Sequence, residues 1–194
     1  MPRDRHYFAA DLHLGAPDAA SSLEREKRFV RWLEHIRPTA RTLYLLGDVF
    51  DFWFEYRRVV PKGYIRLLGK LAELSDDGVA LHLFAGNHDL WYRDYLPQQM
   101  NIQIHFAPQV VELHGQRYFL AHGDGLGPGD HGYKLLKRFL RSPLTRWLFA
   151  RLHPNMGMGL ALLFSTTSRK AGPDFSVVDL GEREYLRQFA RAER

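Results

Sequence analysis

Four short apolar runs in this chain each open into acidic, amide or imidazole side chains, and that recurrence limits its fold more than any other feature. Val79-Ala80-Leu81-His82-Leu83-Phe84 leads to Gly86-Asn87-His88-Asp89, and Tyr7-Phe8-Ala9-Ala10 leads to Asp11-Leu12-His13. Leu43-Tyr44-Leu45-Leu46 leads to Gly47-Asp48-Val49-Phe50-Asp51, and Tyr118-Phe119-Leu120-Ala121 leads to His122-Gly123-Asp124. Each run has the length of a strand buried on both faces. In open α/β sheets, ligands collect just beyond the carboxyl ends of the strands. Four such ends carrying Asp, His, Asp, Asn and His imply one shared site, and the pattern predicts two metal ions in it.

The segments between the runs supply the layers. After His13 a turn at Pro17 leads to Ser21-Ser22, which the pattern makes the cap of a helix. Phe29, Val30, Trp32, Leu33 and Ile36 form its apolar stripe, and Pro38 stops it. Phe50 to Tyr56 is an aromatic loop, with core packing favoured over lining a pocket. A second helix is predicted from near Pro61, with Ile65, Leu67, Leu68 and Leu71 inward, ending around Asp76-Asp77-Gly78. Strand, helix and strand joined by short links make a crossover unit. Trp91, Tyr92, Tyr95 and Leu96 form another aromatic cluster beside Asp89. Ile102-Gln103-Ile104 and Val110-Val111-Glu112-Leu113 read as strands. His114-Gly115-Gln116 reads as a turn before the strand ending at His122, so this half is antiparallel.

From Gly125 the texture changes to a glycine-rich loop. Tyr133 to Leu152 then reads as one or two basic, apolar helices broken near Pro143, and Met156 to Phe164 as an almost wholly apolar one. The expected organisation is a catalytic core over 1–124, a helical lid or cap over 125–172, and a return to the core over 173–194. Packed as a lid for an amphiphilic substrate, the helices would present an apolar groove opening toward His122 and Asp130. Trp147 and Leu148 would stand in it, with Phe54 or Tyr95 as a wall.

Composition narrows the chemistry. The 194 residues include no cysteine, which excludes disulfides and thiolate-held zinc, so any metal must rest on O and N ligands. Met1-Pro2-Arg3-Asp4-Arg5 has no apolar signal core and no run reaches transmembrane length, which makes the cytoplasm the default location. The net charge is +5, and after Tyr133 the cations are interleaved with apolar residues. An anionic substrate or membrane surface suits that interleaving. Nucleic acid, which favours a solvated basic stripe, is not expected as a partner.

Carboxylate, carboxamide and neutral imidazole together suit Mn(II), Fe, Zn or Mg. Asp48 ends a central strand between two other ligand-bearing turns and is the natural bridge between two ions. Asp11 and His13 reach one ion, and Asn87 and His122 the other. Ions about 3.5–4 Å apart activate a water and clamp a transferring phosphoryl group. His88 then faces the substrate as a charge stabiliser or proton donor, oriented by Asp89, so these two are the candidate catalytic residues. Asp51 and Asp124 are the expected hydrogen-bond partners of metal-bound imidazoles.

Asp11-x-His13, Gly47-Asp48-x-x-Asp51, Gly86-Asn87-His88-Asp89 and His122-Gly123-Asp124 together resemble the calcineurin-like metallophosphoesterase superfamily over residues 6 to 124. His122-Gly123-Asp124-Gly125-Leu126-x-x-x-Asp130-x-Gly132-Tyr133-Lys134 resembles a narrower family, the UDP-2,3-diacylglucosamine hydrolases of lipid A synthesis. The resemblance implies an αββα sandwich of mixed sheets with flanking helices and a helical lid insertion. It further implies two divalent ions, manganese first among them, and hydrolysis of a nucleotide-linked glycolipid to UMP and an acylated sugar phosphate at the inner membrane face. Asn87 and His88 would contact the phosphate side and Asp130 the glucosamine. In the best-known branch of the narrower family an Arg stands at the position of His88. The superfamily completes its site with a Gly-His-x-His turn that this sequence does not contain, so the chain is expected to be a C-terminally incomplete portion of a longer protein. A soluble nucleotide or phosphoprotein is the alternative substrate, and a non-catalytic membrane- or protein-binding module with an incomplete metal site is the rival reading.

Overall fold

Strand and helix alternate through the first half of the molecule: β1 (Arg5–Ala9), α1 (Ala19–Ile36), β2 (Ala40–Leu45), α2 (Ile65–Asp76), β3 (Ala80–Phe84), α3 (Tyr95–Met100) and β4 (Gln103–His105). The structure is a computed structural model and describes residues 3–124 and 131–161. The four strands pair in parallel in the order β1-β2-β3-β4. A parallel neighbour is reached only by crossing over one face of the sheet, and crossovers of one hand in sequential order put the helices on the same face. α1 accordingly packs on α2, and α2 on α3. Leu33, Leu43, Leu45, Leu67, Leu71 and Leu83 form the core between helices and sheet.

β5 (Gln109–Leu113) and β6 (Gln116–Leu120) form an antiparallel hairpin. It turns at His114 and Gly115, both at positive φ, as a two-residue hairpin turn of the favoured hand requires. Leu113 and Leu120 pack on Tyr44 and Phe84 of the parallel sheet. The described residues thus give a helix layer, a parallel sheet and a second, antiparallel sheet, the mixed α/β class expected. α4 (His131–Leu140), α5 (Pro143–Phe149) and a helical segment over 154–161 follow. The break between α4 and α5 falls at Ser142, whose side chain caps α5. Asp130 and the segment 173–194 lie outside the described residues.

Three details differ from the sequence pattern. Strand β2, flanked on both sides, is buried at every position but Arg41, whereas β1 and β6 are not buried on both faces: Phe8 and Tyr118 are each 40% exposed. The cap of α1 is Asp18, which accepts from the Ser21 amide (2.9 Å) and hydroxyl (2.7 Å). Ser22 is instead buried, accepting from the Gly15 amide at 2.8 Å. Helix α2 begins at Ile65, not near Pro61, and Ile65 points outward at 74% exposed. The buried stripe is Leu67, Leu71 and Leu74, and a residue two positions before Leu67 falls on the opposite side of a 3.6-residue helix. No side chain of its own caps α2. The buried Glu26 of α1 does so from outside, accepting from the amides of Arg66 (2.9 Å) and Leu67 (3.0 Å).

The carboxyl ends of β2 and β3 are joined by one side chain. Asp89, fully buried, accepts from the amides of Val49 (2.8 Å), Gly86 (2.9 Å), Asp48 (3.3 Å) and Phe50 (3.3 Å), and from the Tyr92 hydroxyl (2.6 Å). Burial, with the Asp48 charge, pushes its carboxyl up to about 6, against the pull of these donors. Asp89→Ala leaves buried amides without an acceptor, and at about 1–3 kcal/mol for each unsatisfied group the variant is expected to lose at least about 3 kcal/mol. Urea denaturation measures this, and a loss below about 1 kcal/mol would mean that the loops hold without the clamp.

Candidate metal centre

Beyond their last paired residues, the β1 and β2 segments stay laced by backbone hydrogen bonds. The Asp11 amide donates to Gly47 (3.2 Å), His13 to Asp48 (2.9 Å) and Leu14 to Val49 (3.0 Å), and Asp51 donates back to Leu14 (2.8 Å). Within this lacing Asp11, His13 and Asp48 take φ of 57°, 43° and 52°. Residues with a Cβ seldom occupy that region, and they persist there only where the surroundings over-determine them. Three strained positions that are also three candidate ligands mark a site whose backbone is fixed before anything binds.

The side chains converge from four strand ends. His13 Nε2 lies 3.6 Å from Asp48 Oδ2 and 3.9 Å from Asp11 Oδ1. His122 Nε2 lies 3.4 Å from the same Asp48 oxygen and 3.1 Å from Asn87 Oδ1. Asp48 therefore stands between an Asp11–His13 set and an Asn87–His122 set. Its other oxygen accepts from the His88 amide at 3.0 Å, which fixes the carboxylate's rotation. The His122 Nδ1 donates to the Leu46 carbonyl at 2.9 Å, turning Nε2 toward the cluster. Two glycines make room for this approach. A Cβ on Gly47 (φ 96°) would lie 2.5 Å from His122 Nδ1, and one on Gly86 would fall on the Asp48 carboxylate.

The electrostatics fit a cation. Burial works to lower the His122 pKa, but the hydrogen bond and charge of Asp48 outweigh it and hold the imidazole at about 9. Burial likewise works to raise Asp48, yet His122 and the His88 amide keep its carboxyl below the usual range. A field that keeps a proton on His122 Nε2 favours any cation there. His13 is held down, mainly by burial, so it stays neutral as a ligand must be. Asp11, His13 and Asp48 each offer a donor atom within 4.8 Å of the others, and His13, Asp51 and His88 form a second such group. His13 Nδ1 is buried without a hydrogen-bond partner. This O and N donor set fits a divalent ion of the Mn, Fe, Zn or Mg kind.

Asp89 does not orient His88. Its oxygens are turned to the amides of the β2 and β3 ends, and Asp51 takes the place expected for it. Asp51 Oδ1 lies 3.5 Å from His88 Nδ1 and 3.9 Å from His13 Nδ1, and His88 Nδ1 faces the Asp51 carbonyl at 3.3 Å. The remaining ring nitrogen of His88, Nε2, is left for a ligand. Asp124 sits close enough for its charge to raise His122, but its Oδ2 is taken at 2.5 Å by Lys137 of α4. That ion pair was not foreseeable, since Lys137 carries no signal among the other lid cations. Glu26 did carry one, because it lies on the buried stripe with Ser22, Phe29, Leu33 and Ile36.

An apolar cavity of about 480 Å³ opens beside the cluster, where Asn87, His88 and Asp51 line it. Phe52, Leu90 and Trp91 form one wall, and Leu136, Phe139, Leu140, Phe149, Leu160 and Ala161 of the helices after Asp130 the other. The aromatic loop thus divides its rings. Trp53 packs in the main core with Tyr92 and Tyr95, while Phe52 faces the cavity. Phe54, expected as a wall, is 3% exposed and packs against Phe149. Trp147 and Leu148 stand outside, 54% and 52% exposed, with the Arg151 guanidinium 4.7 Å over the Trp147 ring. Helix α4 is tied down by Lys137 and by the Trp91 indole, which donates to the Leu140 carbonyl at 2.8 Å.

The UDP-2,3-diacylglucosamine hydrolase of Porphyromonas gingivalis is 46% identical over 171 residues, covering 88% of this chain and 65% of that protein. Its namesake from Aeromonas hydrophila is 36% identical, covering 75% and 58%, and that from Edwardsiella ictaluri is 32% identical, covering 84% and 61%. The chain spans about three-fifths of the length of these curated relatives. Residues 5–183 match the family model described as calcineurin-like phosphoesterase, a range that takes in all four ligand-bearing strand ends. The chain belongs to the calcineurin-like phosphoesterase family, whose chemistry implies divalent metal ions at this cluster.

Proposed function

We propose that the protein hydrolyses the pyrophosphate bond of UDP-2,3-diacylglucosamine, giving UMP and 2,3-diacylglucosamine 1-phosphate for lipid A synthesis. The observation that carries this reading is the apolar cavity that opens at Asn87, His88 and Asp51. A hydrophilic substrate gains nothing from a wall of Phe52, Trp91, Leu136, Phe139 and Phe149, whereas acyl chains gain burial while their headgroup reaches the donors. The names of the relatives support the same substrate.

Two divalent ions, manganese in this reading, supply Lewis-acid activation of a water and a clamp on the phosphoryl group. Asp11 and His13 would hold one and Asn87 and His122 the other, with Asp48 within reach of both sets. His88, oriented through Nδ1 by Asp51, offers Nε2 to the phosphoryl oxygens or the leaving oxygen. Asp89 acts through the backbone, as a positioning residue. Asp130 is retained as a glucosamine contact, and the helices after Gly125 act as a lid on the core.

The protein works at the cytoplasmic face of the inner membrane in this reading. No helix among the described residues is long and apolar enough to cross a membrane. The outer face of the lid leaves Leu135, Leu144, Trp147 and Leu148 exposed among Arg138, Arg146 and Arg151, a composition suited to lying on anionic lipid.

Product analysis with the metal-loaded full-length protein tests the substrate directly: UMP and the diacylated sugar phosphate are expected, and no turnover would refute the reading. Asp48→Ala is expected to abolish turnover and lower metal content together. His88→Ala should keep its metal and slow turnover roughly 10²–10⁴-fold, and loss of metal in that variant would make His88 a ligand. Phe139→Asp, in the cavity wall, should weaken the diacylated substrate and spare a small chromogenic phosphodiester. Trp147→Asp should leave kcat on detergent-dispersed substrate unchanged and reduce sedimentation with anionic vesicles; unchanged vesicle binding would remove the lid face from the membrane contact.

A further inference from the structure

The donor cluster has a second neighbour. A small pocket of about 60 Å³ adjoins it at His122, as the large cavity adjoins it at Asn87 and His88, and Lys137 lines both. Two cations reach the small pocket, and they differ. Lys137 is neutralised by Asp124 at 2.5 Å. Arg141, just past α4, meets no carboxylate among the described residues. Its Nη1 donates to the Phe106 carbonyl at 3.3 Å, and its Nε is buried without a partner. A guanidinium has five donors and no acceptor, so the pocket is short of acceptor oxygens. Beside Arg141, Phe106 lines the pocket and is 47% exposed, an aromatic residue on which a planar ring can stack.

We infer that this pocket, too small to enclose a nucleotide, is the inner end of the subsite for the nucleotide half of the substrate, with Arg141 donating to its acceptor oxygens and the exposed Phe106 stacking on its base. The inference rests on the substrate reading above. It places the acylated sugar in the large cavity and the nucleotide at His122. The pyrophosphate that joins them then spans the donors, since Asn87 of the one space and His122 of the other touch at 3.1 Å.

Calorimetric binding of UMP to the full-length protein tests this, with inorganic phosphate as the companion probe. Arg141→Ala is expected to weaken UMP roughly 10–100-fold, the scale of a lost charge-assisted hydrogen bond, and Arg141→Lys to recover part of it. Phe106→Ala should weaken UMP but not phosphate. Turnover of UDP-2,3-diacylglucosamine by Arg141→Ala should fall mainly through KM, with hydrolysis of bis(p-nitrophenyl) phosphate unchanged. Unaltered UMP binding in both alanine variants overturns the inference. So does phosphate binding as tight as that of UMP, which marks a plain anion site, or an equal loss on the chromogenic diester, which marks Arg141 as holding the lid. A wild-type protein that binds UMP through Arg141 yet leaves the lipid substrate intact refutes the substrate reading and keeps the nucleotide subsite.

Discussion

The buried carboxylate of Asp89 is the interaction on which the site depends. Two strand ends leave the sheet side by side with backbone amides that no strand pairs, and buried amides need an acceptor. One acceptor with several lone pairs satisfies four of those amides at once, and in doing so fixes Asp48 relative to Asn87 and His88. The lacing of β1 to β2 does the same for Asp11 and His13. Left-handed backbone at Asp11, His13 and Asp48 is tolerable only inside such a frame.

From that frame the chemistry follows with little further adjustment. Asp48 is held by the His88 amide and lies within 3.6 Å of imidazoles on both sides. His122 is aimed by a carbonyl, and His88 by Asp51. None of these orientations waits for a ligand. Helix α4 is held to the core by Lys137 with Asp124 and by Trp91 with the Leu140 carbonyl. The donor cluster lies between an apolar cavity and a small pocket that Lys137 and Arg141 reach.

Much of this was legible from the sequence because strand ends are where an α/β sheet exposes chemistry, and four ends carried ligand-type residues. The parallel half, the hairpin at His114-Gly115 and the break at Pro143 followed from periodicity and turn residues. Asp89 was misread for a physical reason. A carboxylate next to a histidine suggests a pair, and nothing local reveals that unpaired amides 40 residues earlier need it more. Ile65 was placed inward because an apolar residue near a helix start fits two registers, and only the true first turn decides between them. Glu26 could have been read, since a carboxylate on a buried stripe must have donors to meet, and those were the uncapped amides of α2. The Phe52 wall and the Lys137 ion pair depend on how α4 and α5 dock on the core, which no spacing within either segment encodes.

The proposed two-ion site, in which Asp48 would be shared between residues fixed on neighbouring strand ends, is open to direct test. Electron paramagnetic resonance of the manganese-loaded full-length protein, with metal content determined on the same sample, addresses it most directly. The account predicts two ions per chain and an exchange-coupled spectrum that reverts to uncoupled manganese in Asp48→Ala. One ion per chain, or two that give only the spectrum of isolated manganese, would contradict it.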